Sequence, residues 1–393
     1  MKATINRMET HNLDLITVRR LCFVLFFSAM LFGKTETSYF FSIAVLLFAL
    51  ASLQRLSTFG EILADRLVLL SLLFCMFSLM SVTWSVDKEL SLNMSIRLIL
   101  QFSIYVFFIK YLLENGVLLG IKNILIFLTL LNFTIFIFPG LYPYPVSVQG
   151  WRFLGTAHNA NYFAIFFTFS LAVLLYEANR NTVIRLLPLV LVCSVLIFAT
   201  GSRKGAVVCL LLFGWFFLFQ RQRISLFVFL LIILLSLLFF LEAVGLSKLS
   251  FDSRTLEYFG GLYSAVRDLE SGDSSSRYRF YLINEGLRIW EQNSIVGVGI
   301  DGFQSFIGED LYAHNNYVEL LADLGVVGFL IYYSIICGMC YSFWRARKMS
   351  FVYLWLICVI PILDFGMVSY SERYYWVFLF YFYYRSKSDR GLL

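Results

Sequence analysis

Three short polar stretches interrupt an otherwise mostly apolar chain, and each lies where a hydrophobic run begins. They are Arg152-Phe-Leu-Gly155-Thr-Ala-His158-Asn159-Ala-Asn161, Thr200-Gly201-Ser202-Arg203-Lys204-Gly205 and His314-Asn315-Asn316. Each puts Asn or Ser at a plausible helix N-cap, with a cationic or imidazole side chain beside it. The first turn of a helix has free N–H groups and a positive partial charge, so it favours an anion. Three such ends on one face, with Arg152 and Arg203 added, would form an anion site. Arg277 and Arg279, upstream of the third stretch, add further guanidinium groups. Arginine suits phosphate because its planar fork grips two oxygens at once. These residues point to a phosphate-bearing ligand. The competing account is structural: every helix end needs a cap, and basic side chains snorkel at interfaces.

His314 is one of only three histidines. A helix N-terminus disfavours imidazolium, so His314 should stay neutral and able to accept a proton as a general base. With Asn316 as N-cap, Glu319 falls at the reciprocal position of a capping box, and capping is expected of it ahead of catalysis. Asn159, Asn161, Ser202 and Asn315 complete the polar set around the three helix starts.

The elements that must position these residues are membrane spans. The chain is 60% hydrophobic and 14% charged, with mean hydropathy +0.79. That balance excludes an ordinary soluble domain and indicates an all-α polytopic membrane protein. Twelve candidate span cores follow from hydropathy: 21–36, 38–54, 67–84, 98–112, 121–138, 161–176, 186–200, 204–220, 224–243, 317–344, 350–367 and 373–385. With both termini cytoplasmic, the inside segments hold 18 of the 31 Lys and Arg residues and the short outside loops hold seven. That is the expected bias. The chain reads as one transmembrane domain over 1–393, with a short outer loop at 139–160 and a large one at 244–316. Within the large loop, residues 276–290 have helical apolar spacing.

Other signals carry less. A net charge of +6 spread between apolar runs gives no nucleic-acid signature. All seven cysteines fall in apolar runs, so neither a disulfide framework nor a metal site is expected, and no cofactor is called for. Cys337-x-x-Cys340 reads as packing. Gly297-Val-Gly299-Ile-Asp-Gly302 fits a dinucleotide-binding pattern but lacks its strand–helix context, so a loop turn is expected.

The ordered series Arg152-x-x-Gly155, Asn159-x-Asn161, Thr200-x-Ser202-Arg203-x-Gly205, Arg277-x-x-x-Tyr281, Gly297-Val-Gly299-x-x-x-Phe303 and His314-Asn315-x-x-x-Glu319-x-x-x-x-x-Gly325-x-x-Gly328 resembles the O-antigen polymerase and O-antigen ligase superfamily. The resemblance covers roughly residues 150–345. It departs at His158, where proline is common, and at Tyr281, where tryptophan is common. It implies a multi-pass glycosyltransferase of the bacterial inner membrane, GT-C-like and metal-independent, with a periplasmic active site. The implied donor is a glycan on undecaprenyl pyrophosphate. A chain-length regulator and a flippase are implied partners, alongside the bilayer itself. By position, Arg203 and Arg277 correspond to arginines that hold pyrophosphate, and His314 to the signature histidine. Arg152, Asn159, Asn161, Ser202, Arg279, Asn315 and Glu319 are the expected substrate-binding set. A polymerase is expected ahead of a ligase, because the tyrosine-rich tail resembles capsule and O-unit polymerases. A secondary transporter is the rival of another class, since twelve spans with both ends inside is a common transporter layout.

Overall fold

The computed structural model describes residues 57–115, 119–141, 147–148, 152–157, 159–177, 180–219, 274–308, 311–346 and 350–390. The expected spans at 21–36, 38–54 and 224–243 lie outside the described residues, as do His158 and the loop up to residue 273.

Every other expected span falls on a helix. In chain order they are α1 (Ser57–Leu63), α2 (Arg66–Ser81), α3 (Lys88–Asn115) and α4 (Leu119–Ile137). A two-residue antiparallel pair follows, β1 (Ser147–Val148) with β2 (Arg152–Phe153). Next come α5 (Ala160–Tyr176), α6 (Arg180–Ala199) and α7 (Arg203–Phe219). The large loop contributes α8 (Ser274–Gln292) and α9 (Phe303–Ile307). The chain closes with α10 (Asn316–Trp344), α11 (Phe351–Gly366) and α12 (Arg373–Asp389). By length and composition, α10 and the Lys88–Ile109 part of α3 could each cross a membrane; several of the others are shorter apolar helices.

α12 is the central post. Its residues from Tyr374 to Tyr384 are all buried, which is the pattern of a helix surrounded by others. Its two ends are pinned differently. At the C-terminal end, Lys387 pairs with Asp65, which also accepts from the Tyr383 and Tyr384 hydroxyls. Arg385 lies 3.5 Å from Glu177 at the same end. The N-terminal end, at Glu372 and Arg373, abuts the loops discussed below.

The expected span at 317–344 falls on α10, but the helix is not continuous. α10 is interrupted at Gly325, whose φ of +61° and ψ of −167° fit glycine alone. A break strands carbonyls before it and N–H groups after it, and burial makes stranded groups costly. The segment 294–299 supplies four partners. Val298 and Gly299 donate to the Ala322 and Asp323 carbonyls at 3.0 and 2.8 Å. Val326 and Val327 donate to the Ser294 and Ile295 carbonyls at 2.9 and 3.1 Å. This is what the Gly297–Gly302 motif does: Gly297 and Gly299 have φ of +69° and +102° and let the loop backbone lie against the break. The Asp323 carboxylate secures the next turn by accepting from the Asp301 and Phe303 N–H groups. The 19 residues after the break span about 28 Å of helix, close to one bilayer core. The residues before it join α8 and α9 around a small separate core that includes Leu282, Ile289, Phe303 and Val318.

Gly325→Ala should therefore be among the most damaging small substitutions. A Cβ there would lie 2.3 Å from the Ile295 carbonyl oxygen, in a conformation alanine avoids. The expected cost is about 3 kcal/mol or more. Thermal melting of the detergent-solubilised protein checks it, with Gly338→Ala, in the same helix, as a comparison at ordinary helical backbone angles.

Candidate functional site

The helix starts at Ser202 and Asn315 are built as caps, and so is that at Asn159. The Asn159 side chain accepts from the Asn161 and Tyr162 N–H groups, both at 3.0 Å. Ser202 Oγ accepts from Gly205 N at 3.2 Å, while Thr200 Oγ1 accepts from Ser202 N. Asn315 accepts from Tyr317 and Val318 at 3.0 and 3.2 Å.

The expected cap at Asn316 is thus corrected: Asn315 is the N-cap. Two adjacent asparagines compete, and the backbone decides between them. His314 has φ of +55°, a left-handed conformation that turns Asn315 into the extended cap geometry. Asn316 is then free for a tertiary role. Its Oδ1 accepts from Ser369 and Tyr370 N, and its Nδ2 donates to the Tyr333 hydroxyl. Glu319 shifts by one position with the cap. Its carboxylate takes the Ala313 N–H, bracing the strand that leads into His314, and it does not form the reciprocal box.

The helix starts also converge in space. A Cβ on Gly205 would lie 2.4 Å from the Ala164 Cβ, so α7 and α5 touch near their N-terminal ends. A Cβ on Gly366 would lie 2.8 Å from Lys204 Cε, so the Lys204 stem crosses the C-terminal end of α11. Arg152 Nε donates to the Thr200 carbonyl at 3.0 Å, fastening β2 to the end of α6.

Of the expected cations, Arg279 is one whose charge acts on His314; the other is Lys204, next to the expected Arg203. Arg279 and Lys204 act on His314 through their fields, and on each other. Arg277 is exposed on α8. Positions two apart on a helix point to different faces, so turning Arg279 towards His314 turns Arg277 away. Among the described residues, no contact joins Arg277 to His314. Arg203 stands one position before Lys204 in the same first turn and is half-buried.

His314 itself is partly buried. Burial first, then the Arg279 and Lys204 charges, push its pKa down to about 4. It is a neutral imidazole at pH 7. Its ring lies 4.0 Å from that of Tyr312, centroid to centroid. Tyr312 in turn feels Glu372 ahead of Arg279, which brings the start of α12 to the rim of the site. Lys204, Tyr312 and Glu372 were not singled out from the sequence. Lys204 was readable only as one more cation in the Thr200–Gly205 stretch; Glu372 gave no local signal.

The class of molecule is therefore a bundle of apolar helices with a cationic, imidazole-bearing site at one end. Residues 187–333 match the family model described as O-antigen ligase, which supports the O-antigen ligase and polymerase superfamily. The matched segment holds Lys204, Arg279 and His314. A search of curated proteins found no match.

Depressed histidine basicity has a consequence for stability. Above pH 6.5 the imidazole is neutral in both folded and unfolded chains. As pH falls from 6.5 towards 4, the unfolded chain takes up a proton that the folded chain refuses, so stability falls. After discounting for solvent screening, wild type should lose about 1 kcal/mol more than His314→Gln between pH 7 and pH 5. Parallel melting curves at the two pH values measure this.

Proposed function

We propose that the protein is a polysaccharide polymerase of the O-antigen or capsule type. It moves a glycan from undecaprenyl pyrophosphate onto the next lipid-linked repeat unit at the periplasmic face. The observation that carries this reading is that the Lys204 and Arg279 charges both act on His314, beside capped helix starts. Two cations and a neutral base are what transfer from a pyrophosphate leaving group requires.

The acceptor sugar hydroxyl attacks the anomeric carbon of the donor. The bond from that carbon to the pyrophosphate oxygen breaks, and configuration inverts. His314 takes the hydroxyl proton, while Lys204 and Arg279 stabilise the negative charge that grows on the departing diphosphate. That leaving group needs no proton, so no general acid is required. A ligand diphosphate would offset the two cations and raise the basicity of His314, so the base would strengthen once the donor is bound. Asn159, Ser202 and Asn315 shape this site through the backbone. Arg152, Arg203 and Arg277 are assigned to orienting the longer substrate at its edges, and Asn161 and Glu319 to support.

A ligase delivering glycan to lipid A core is the alternative within the same superfamily. A transporter would place the polar residues of a broken helix around a midplane cavity. At Gly325 the backbone groups freed by the break are instead taken up by the 294–299 loop, which favours a transferase.

Vesicles containing the purified protein and lipid-linked repeat units test the reading. Ladders of longer lipid-linked glycan are expected; transfer to lipid A core alone would mark a ligase. Arg279→Ala and Lys204→Ala should each lower turnover on the order of 100-fold, as loss of one charge-stabilising donor does. Arg277→Ala should cost less than tenfold. Equal losses at Arg277 and Arg279 would contradict the assignment.

A further inference from the structure

Asp364 sits at the last turn of α11 with no exposed surface, on an apolar helix, and none of its hydrogen-bond partners is a cation. A carboxylate so placed is costly unless hydrogen-bonded, and such groups in membrane helices tend to be functional. Three hydroxyls satisfy it. Tyr333 donates to Oδ2 at 3.0 Å; Ser369 and Tyr375 donate to Oδ1 at 2.6 and 3.2 Å.

Two of those hydroxyl residues lead straight to the start of α10. The Tyr333 hydroxyl, which donates its hydrogen bond to Asp364, accepts one from Asn316 Nδ2 at 3.1 Å. Ser369 donates its backbone N–H to Asn316 Oδ1 at 2.9 Å, and Tyr370 adds a second at 3.2 Å. Asn316 is wholly buried and stands two residues from His314. One end of its amide thus meets the Tyr333 hydroxyl and the other the Ser369 backbone, and both residues are bonded to Asp364 through their hydroxyls. The same loop, 367–372, ends at Glu372 on the rim of the site.

We propose that Asp364 is a positioning residue for His314, acting through Tyr333 and Ser369 on Asn316. The left-handed backbone at His314 is an uncommon state for a residue with a side chain, and it persists only where the surroundings over-determine it. The Asn316 anchorage provides that constraint on one side, and the Glu319 bond to Ala313 N provides it on the other. A carboxylate suits this node because it only accepts. Both Tyr333 and Ser369 must then donate to it, which leaves the Tyr333 oxygen lone pair facing Asn316. An amide in its place would offer a donor to one of them and break that direction.

The kinetic part of this inference rests on the transferase reading above; a second measurement does not. The variants are Asp364→Asn, Tyr333→Phe and the double variant, purified and compared at equal amounts of folded protein. In the transfer assay, Asp364→Asn should leave KM for the lipid-linked donor within about twofold and lower kcat on the order of tenfold to 100-fold. The double variant should be no worse than the poorer single one, because both break one chain of bonds. Independently of any substrate, acylation of His314 by diethyl pyrocarbonate, followed by mass spectrometry, should run about fivefold faster in Asp364→Asn as the turn loosens. Unchanged kcat with unchanged labelling overturns the proposal, as does a loss of activity that merely tracks the loss of folded protein. An inactive wild type would sink the transferase reading, and the labelling rates would still decide the role of Asp364.

Discussion

Backbone hydrogen bonding sets the terms of this structure. Inside an apolar bundle every N–H and C=O must find a partner in the protein, because no water is there to serve. The long helix from Asn316 to Trp344 strains this rule at Gly325, and the 294–299 loop answers with four backbone bonds. The repair fixes the loop on the bundle. The loop in turn follows α8, which carries Arg279, so the same four bonds that heal the helix help to hold a guanidinium beside His314. Asp323 and the Ser81–Ile300 bond extend the clamp to α9 and α2.

The site is made by meeting ends. α7 begins there, α10 begins there, α11 stops there and α12 begins there. Helix starts bring partial positive charge, and Lys204 and Arg279 add full charges. Burial first, and then these charges, keep His314 unprotonated at neutral pH. A diphosphate would be the natural complement, since it neutralises the cations that suppress the base. The opposite end of the bundle is built for fastening, with Asp65, Lys387, Glu177 and Arg385 tying the central helix to its neighbours. The two ends divide chemistry from anchorage.

Much of the frame was legible from hydropathy. Span cores such as 161–176 and 373–385 land on helices with nearly the same limits, because each is a run of apolar residues bounded by polar ones. The break at Gly325 was not legible. Leu324-Gly325-Val326-Val327 is continuous in hydropathy, and the interruption depends on a loop some thirty residues upstream. The helix starts at Asn159 and Ser202 were readable from cap chemistry; the start at Asn315 was misplaced by one because His314 takes a left-handed turn. Which of two neighbouring cations faces His314 was also not legible. Arg203 or Lys204, Arg277 or Arg279, differ only in helical phase, and phase is set by which face packs inward. Asp364 and Glu372 acquire meaning only through partners distant in sequence.

The most direct test of the central claim is equilibrium binding of a polyprenyl pyrophosphate to the protein in lipid nanodiscs. The account predicts saturable binding that weakens on the order of tenfold with either Lys204→Ala or Arg279→Ala, as loss of a charge-assisted contact requires. It also predicts much weaker binding of the corresponding polyprenol. Equal affinity for wild type and both variants would contradict it, as would equal affinity for the pyrophosphate and the alcohol.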